Sequence, residues 1–152
     1  SNVDVGTNLD KAFYGLDKAT SLDFPSTMTT GVTSLSSAFF SVGDITTFPS
    51  LDYSSVTTFA NAWRSCADLV DFPANQFDTT GTLVSNAFAS AWRSCDSLSV
   101  QSVENILVSL DTNGATGISL RLAGAGRSTW TTAATTAYNS LLAKGWSITS
   151  PA

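Results

Sequence analysis

Histidine is absent from this 152-residue chain, and charge of either sign is scarce. Seven Lys and Arg stand against 12 Asp and Glu, 12% in all, roughly half the usual share. Without histidine the Ser-His-Asp and Cys-His nucleophile systems and the commonest zinc ligand are excluded. The two cysteines alone make no sensible zinc site, and no cofactor is called for. Glu104 is the only glutamate. A net charge of −5 with seven scattered cations argues against nucleic acid and anionic membrane surfaces as partners. No apolar run approaches the roughly 18 residues of a membrane span. The start, Ser1-Asn2-Val3-Asp4, shows neither the cationic nor the apolar part of a signal peptide.

What is present is hydroxyl and carbon. The chain holds 23 Ser and 21 Thr, with 43% hydrophobic residues, so a real core is expected under a neutral, hydroxylated surface.

A repeat runs through the first two-thirds. Phe24-Pro25, Phe48-Pro49 and Phe72-Pro73 are 24 residues apart. Ala12-Phe13, Ala38-Phe39, Ala62-Trp63 and Ala91-Trp92 follow at 26, 24 and 29, and Ala-Trp-Arg-Ser-Cys occurs identically at 62–66 and 91–95. In the clearest unit Val56, Phe59, Trp63 and Cys66 fall at steps of 3, 4 and 3, which predicts a short helix. Leu69 and Phe72 then predict a short extended piece ended by Pro73. Five extra residues in the third unit are placed in the loop around 78–82.

One such unit cannot cover its own apolar stripe, so neighbours must stack, Phe over Phe and Trp over Trp. The expected fold is α/β: a leucine-rich-repeat-like solenoid of short parallel strands and short helices, closed by a C-terminal α/β cap. It is read as a single domain, 1–152, with an N-terminal segment 1–11, repeats over 12–98, and a final helix and cap over 99–152. Phe24, Phe39, Phe48, Trp63, Phe72, Trp92, Cys66 and Cys95 are the expected core.

Past Cys95 the pattern predicts a helix from Val100 to Leu110 and a strand around Ile118, Leu120 and Leu122. A second helix is expected from Ser128 as N-cap, through Trp130 to Leu142, closed by Gly145, with a last strand at 146–149. Trp130 and Trp146 are expected to seal the end of the stack rather than to lie open as sugar platforms.

The run Leu51-Asp52-x-Ser54-Ser55-Val56-Thr57, then Phe59, Trp63, Cys66, Leu69 and Phe72-Pro73, resembles the BspA-like leucine-rich repeat of bacterial surface proteins and marine phages. The likeness covers 12–98; Trp63 and Trp92 stand where that unit usually has Phe, and Leu22 lies two rather than three residues before Phe24. It implies a non-enzymatic recognition or adhesion module at an extracellular or virion surface. A phage tail-fibre or decoration protein binding host-surface glycan or protein is the setting implied. A purely structural or decorating component of an assembly, contacting other virion proteins in the phage setting, and a polysaccharide depolymerase are the alternatives.

Cys66 and Cys95 are read as buried thiols; a disulfide would need Cα atoms within about 7 Å. Arg64 and Arg93 form either a cationic spot for a carboxylate-bearing glycan or acidic partner, or local pairs with Asp68 and Asp96. Asp23, Thr47 and Asp71 precede the three Phe-Pro anchors, and side chains recurring about 4.8 Å apart would suit an extended polymer. They are the expected binding strip. Stacked aspartates could also supply a glycosidase carboxylate pair, but no pocket is evident for one.

Overall fold

The computed structural model of the chain describes residues 8–152, so most of the expected N-terminal segment 1–11 lies outside the described residues. In its named elements it is a small α/β protein: helix α1 Val100–Asn113, strand β1 Ser119–Arg121, helix α2 Thr132–Ala143 and strand β2 Ser147–Thr149. The two strands pair in parallel, Leu120 opposite Ile148.

Residues 9–98 contain no α-helix, which corrects the expectation of one per unit. The apolar stripe belongs instead to a tighter coil. Leu35, Ser37, Phe39 and Ser41 donate their backbone N–H groups to the carbonyls of Thr58, Ala60, Ala62 and Arg64, at 2.9–3.1 Å. The N–H groups of Ala38, Phe40 and Val42 close back three residues within the same unit. Phe59, Asn61, Trp63 and Ser65 donate in the same way to Ala87, Ala89, Ala91 and Arg93. A left-handed residue recurs at every fourth position: Ser37 and Ser41, Asn61 and Ser65, Ser90 and Ser94, each with φ between 53° and 64°. Lys11 and Gly15 repeat the pattern in the first unit. Such backbone costs about 1–2 kcal/mol per residue carrying a Cβ, and the cross-unit hydrogen bonds offset it. Steps of 3 and 4 satisfy this coil as well as a helix, which is why the stripe suggested the wrong element.

The extended pieces also pair less fully than expected. Thr47 and Asp71 form an isolated parallel bridge, and Phe48 donates to Asp71 at 2.9 Å. The denser ladder lies on the wall where helices are expected. A bridge from Phe88 to Leu120 carries it on to β1.

The interior is a set of ring columns. Phe13, Phe39, Trp63 and Trp92 stack at 5.5, 6.2 and 4.9 Å with planes within 14° of parallel. Phe59 and Phe88 stack at 5.0 Å, and Trp146 of the cap covers Phe88 at 6.2 Å. Phe48 lies on Phe72 at 5.6 Å. Phe39, Phe48, Trp63, Phe72, Trp92, Cys66 and Cys95 are buried. Phe24, expected among them, is only half-buried, because it packs on Phe13 and Phe39 in the first described unit. Phe77, 24 residues after Tyr53 and just ahead of the insertion, is an unexpected core member: it is fully buried and stacked on Tyr53 at 5.6 Å.

Helix α1 closes the other side with a polar stripe. Ser102 accepts from the N–H of Phe72 and donates to Val70, Asn105 donates to Phe72, Ser109 accepts from Phe77, and Asn113 donates to Phe77. Spaced 3, 4 and 4, these side chains supply the backbone of 70–77 with the partners a further unit would give. Ser99 caps the helix start and Gly114, at φ 79°, ends it. Helix α2 begins later than expected: Thr131, not Ser128, accepts from the N–H of Ala134, and Ser128 sits in a 3-10 turn, Arg127–Thr129. Trp130 therefore precedes the helix; its indole donates to Ala125 at 2.7 Å and its ring meets Tyr138 edge-on. Burial pushes the Asp111 carboxyl up, but hydrogen bonds from Lys144 and Ser140 and the Lys144 charge outweigh that and hold it below its ordinary value. The Lys144–Asp111 contact, 2.6 Å, ties the end of α2 to α1.

Three buried polar atoms have no hydrogen-bond partner among the described residues: the Tyr53 hydroxyl and the indole nitrogens of Trp63 and Trp92. An unpaired buried hydroxyl costs about 1–3 kcal/mol. Tyr53→Phe, which keeps the ring, is therefore expected to leave the urea midpoint unchanged or raise it. A clear drop would show the hydroxyl to be partnered.

Candidate functional site

The cross-unit ladder sorts the surface into rows. Gly15 donates to the carbonyl of Phe40, Ser41 to that of Arg64, and Ser65 to that of Arg93. Phe40, Arg64 and Arg93 thus hold the same place in successive units, and Tyr14 holds it in the first, each directly following the residue of the central ring column. In the pairs Ala38-Phe39, Ala62-Trp63 and Ala91-Trp92 both residues are buried, and the residue that follows each pair reaches the surface. Tyr14 is 52% exposed, and the other three are half-buried.

The row is ordered by its own contacts. Tyr14 and Phe40 stack at 4.7 Å with planes 13° apart. The Arg64 guanidinium lies 5.4 Å from the centre of the Phe40 ring, within cation–π reach. It also donates to Asn61 Oδ1 at 3.3 Å, which leaves most of its five donors open. Arg93 comes next in line. The expected local pairs with Asp68 and Asp96 do not form, and the ion pair among the described residues is Lys144–Asp111. The i,i+4 adjacency those pairs needed belongs to an α-helix, and this stretch is not one. Two stacked rings and two guanidiniums make a strip with an apolar half and a cationic half.

No protein-family model, no curated protein and no solved structure matches the chain.

The other expected strip is only partly assembled. Thr47 and Asp71 are bridged side by side and both are exposed. Asp23 is exposed as well, but no bridge joins it to Thr47 among the described residues. Elsewhere carboxylates serve the turns: Asp10 accepts from Ser34 and from the N–H of Ser36, and Asp52 from Thr30 and the N–H of Ser54. The Ser54 backbone bond, then its side chain and Thr30, hold the Asp52 carboxyl below its ordinary value. Among the described residues no three His, Cys, Asp or Glu side chains converge on a point where a metal could sit.

Cys66 and Cys95 are free thiols stacked one unit apart. Each donates to the carbonyl of a ring residue in the unit before it, Cys66 to Phe39 at 3.1 Å and Cys95 to Trp63 at 2.9 Å. Burial pushes the Cys66 thiol up to about 11, and burial, then the neighbouring Cys66, pushes Cys95 up too. The thiolate is the nucleophilic form, so both act as core atoms at neutral pH.

Sequence reasoning found Arg64 and Arg93 but missed Tyr14 and Phe40. The signal was present: all four follow the second residue of an Ala-ring pair.

Proposed function

We propose that this chain is a leucine-rich-repeat-like α/β solenoid with a C-terminal α/β cap, acting without catalysis as a recognition module on an exterior surface, with a carboxylate-bearing glycan as its ligand. The row Tyr14–Phe40–Arg64–Arg93 carries the reading. A sugar ring offers an apolar C–H face, which suits the stacked aromatic pair. Its carboxylate suits a guanidinium, whose planar fork binds it with two hydrogen bonds. A row fixed to a continuous backbone ladder spends little entropy on binding. The resemblance to BspA-like repeats adds the setting: a phage virion component, such as a tail-fibre or decoration protein, facing the host surface.

An array of acidic and neutral polysaccharides probed with the chain tests this. Binding to at least one uronic-acid polymer is expected, weakened by salt. Arg64→Ala with Arg93→Ala should weaken it at least about tenfold, since charge-assisted hydrogen bonds contribute about 1.5–3 kcal/mol each. Tyr14→Ala should weaken it too, with an unchanged melting temperature. Silence across the acidic polymers, or an indifferent double variant, would sink the reading.

A further inference from the structure

We propose that the cleft between the 78–83 loop and the 113–116 turn is a second binding site, built for an uncharged saccharide unit. The loop contains the five residues by which the third unit exceeds its predecessor. It forms one wall of an open cleft of about 580 Å³, inside the roughly 300–1,000 Å³ range of small-ligand sites.

The walls are fixed before any ligand arrives. Asp78 accepts from Ser109 of α1 through Oδ1 at 2.5 Å. Asn113 donates to the carbonyl of Phe77 at 2.9 Å and to the Thr80 hydroxyl at 3.0 Å, and accepts from the N–H of Ala115. Gly81 donates to Val56 at 3.0 Å, and a Cβ there would stand 2.7 Å from the Ser55 carbonyl oxygen. Only glycine lets the loop lie this close to the unit before it. A preorganised site loses little freedom when it is filled.

The chemistry of the lining selects the ligand. Asp78, Thr79, Thr82 and Thr116 all line the cleft, and Oδ2 of Asp78 and the three threonine hydroxyls make no hydrogen bond among the described residues. No cation lines it, and Lys144 nearby is held by Asp111. A carboxylate oxygen takes hydroxyl donors and repels anions, while the threonine hydroxyls both give and accept. One carboxylate is too little to hold a metal ion. Leu83 and Ala115 add apolar surface for C–H groups. Neutral vicinal hydroxyls on a compact ring meet all of these demands, and the carboxylate-bearing ligand proposed for the arginine row does not.

The test is an amide ¹H–¹⁵N NMR titration of the chain with four neutral probes: maltotriose, cellotriose, mannotriose and N,N′,N″-triacetylchitotriose. At least one should shift the amides of 79–83 and 114–116 saturably. Thr79→Val and Thr116→Val, which keep side-chain shape at exposed positions, should each weaken that binding about 3- to 10-fold. The Arg64→Ala, Arg93→Ala double variant should bind the neutral probe as the wild type does. No shift at these amides from any of the four, or threonine variants that bind unchanged, overturns the proposal. Shifts confined to Tyr14 and Phe40 overturn it too, while leaving the arginine row standing.

Discussion

Replacing Trp63 with alanine should destabilise the protein by about 3–5 kcal/mol, the range for emptying a large aromatic site. Trp63 is fully buried, stacked between Phe39 and Trp92 and met edge-on by Phe48 and Phe72. It belongs to the column that joins one unit to the next, so the void would open between units and not within one. Equilibrium urea unfolding measures this. An unchanged midpoint would contradict the column. Trp63→Phe should cost much less, because it keeps a stacked ring and removes an indole N–H that has no partner among the described residues. Most of the alanine effect should therefore come from the lost ring and its cavity.

Gly124→Ala should be the most damaging single methyl in the cap. Gly124 has φ 85°, and a Cβ there would lie 2.5 Å from Leu98 Cβ and 2.8 Å from the Leu98 carbonyl oxygen. That same carbonyl accepts from the N–H of Ala125 at 3.0 Å, one of the bonds that seat the cap on the last unit. Left-handed strain alone costs about 1–2 kcal/mol, and overpacking typically adds about 1–3 kcal/mol. Gly117→Ala is the control: its φ is 69°, but nothing lies within 4 Å of the added methyl. It should show the strain without the collision. Calorimetric melting of the two variants separates the contributions, and equal losses would mean that the Leu98 contact yields freely.

The parts that could be read from the chain are those where a short window decides the outcome. Val100, Val103, Ile106, Leu107 and Leu110 leave one stripe, so the start of α1 was legible, but the helix runs three residues past the expected end at Leu110, to Asn113, before Gly114 stops it. Ile118, Leu120 and Leu122 alternate around β1 and are buried. The start of α2 was not legible, because Ser128 and Thr131 are equally able caps. Packing chose Thr131, which also donates to Glu104 of α1.

The binding row was half legible. Arg64 and Arg93 advertise themselves within an identical five-residue run, whereas Tyr14 and Phe40 pass for core aromatics until the ladder shows them facing outward. The cleft was less legible still. The insertion announces itself by length, but its far wall comes from the turn after α1, some 30 residues on.

Repetition of the same side chains every 24 to 29 residues determined by itself that equivalent residues would be neighbours, because only like units covering one another could bury so many rings. Tertiary structure alone decided how the backbone reaches that end. Within its own span, a stretch such as 59–66 has only its own carbonyls to offer its N–H groups, which is the helix that local spacing suggests. Beside a neighbour whose carbonyls lie within 3 Å, half of those N–H groups turn outward, and Asn61 and Ser65 take the left-handed conformation that lets them. Local spacing cannot distinguish the two coils, since the partner that favours one over the other lies a full unit away.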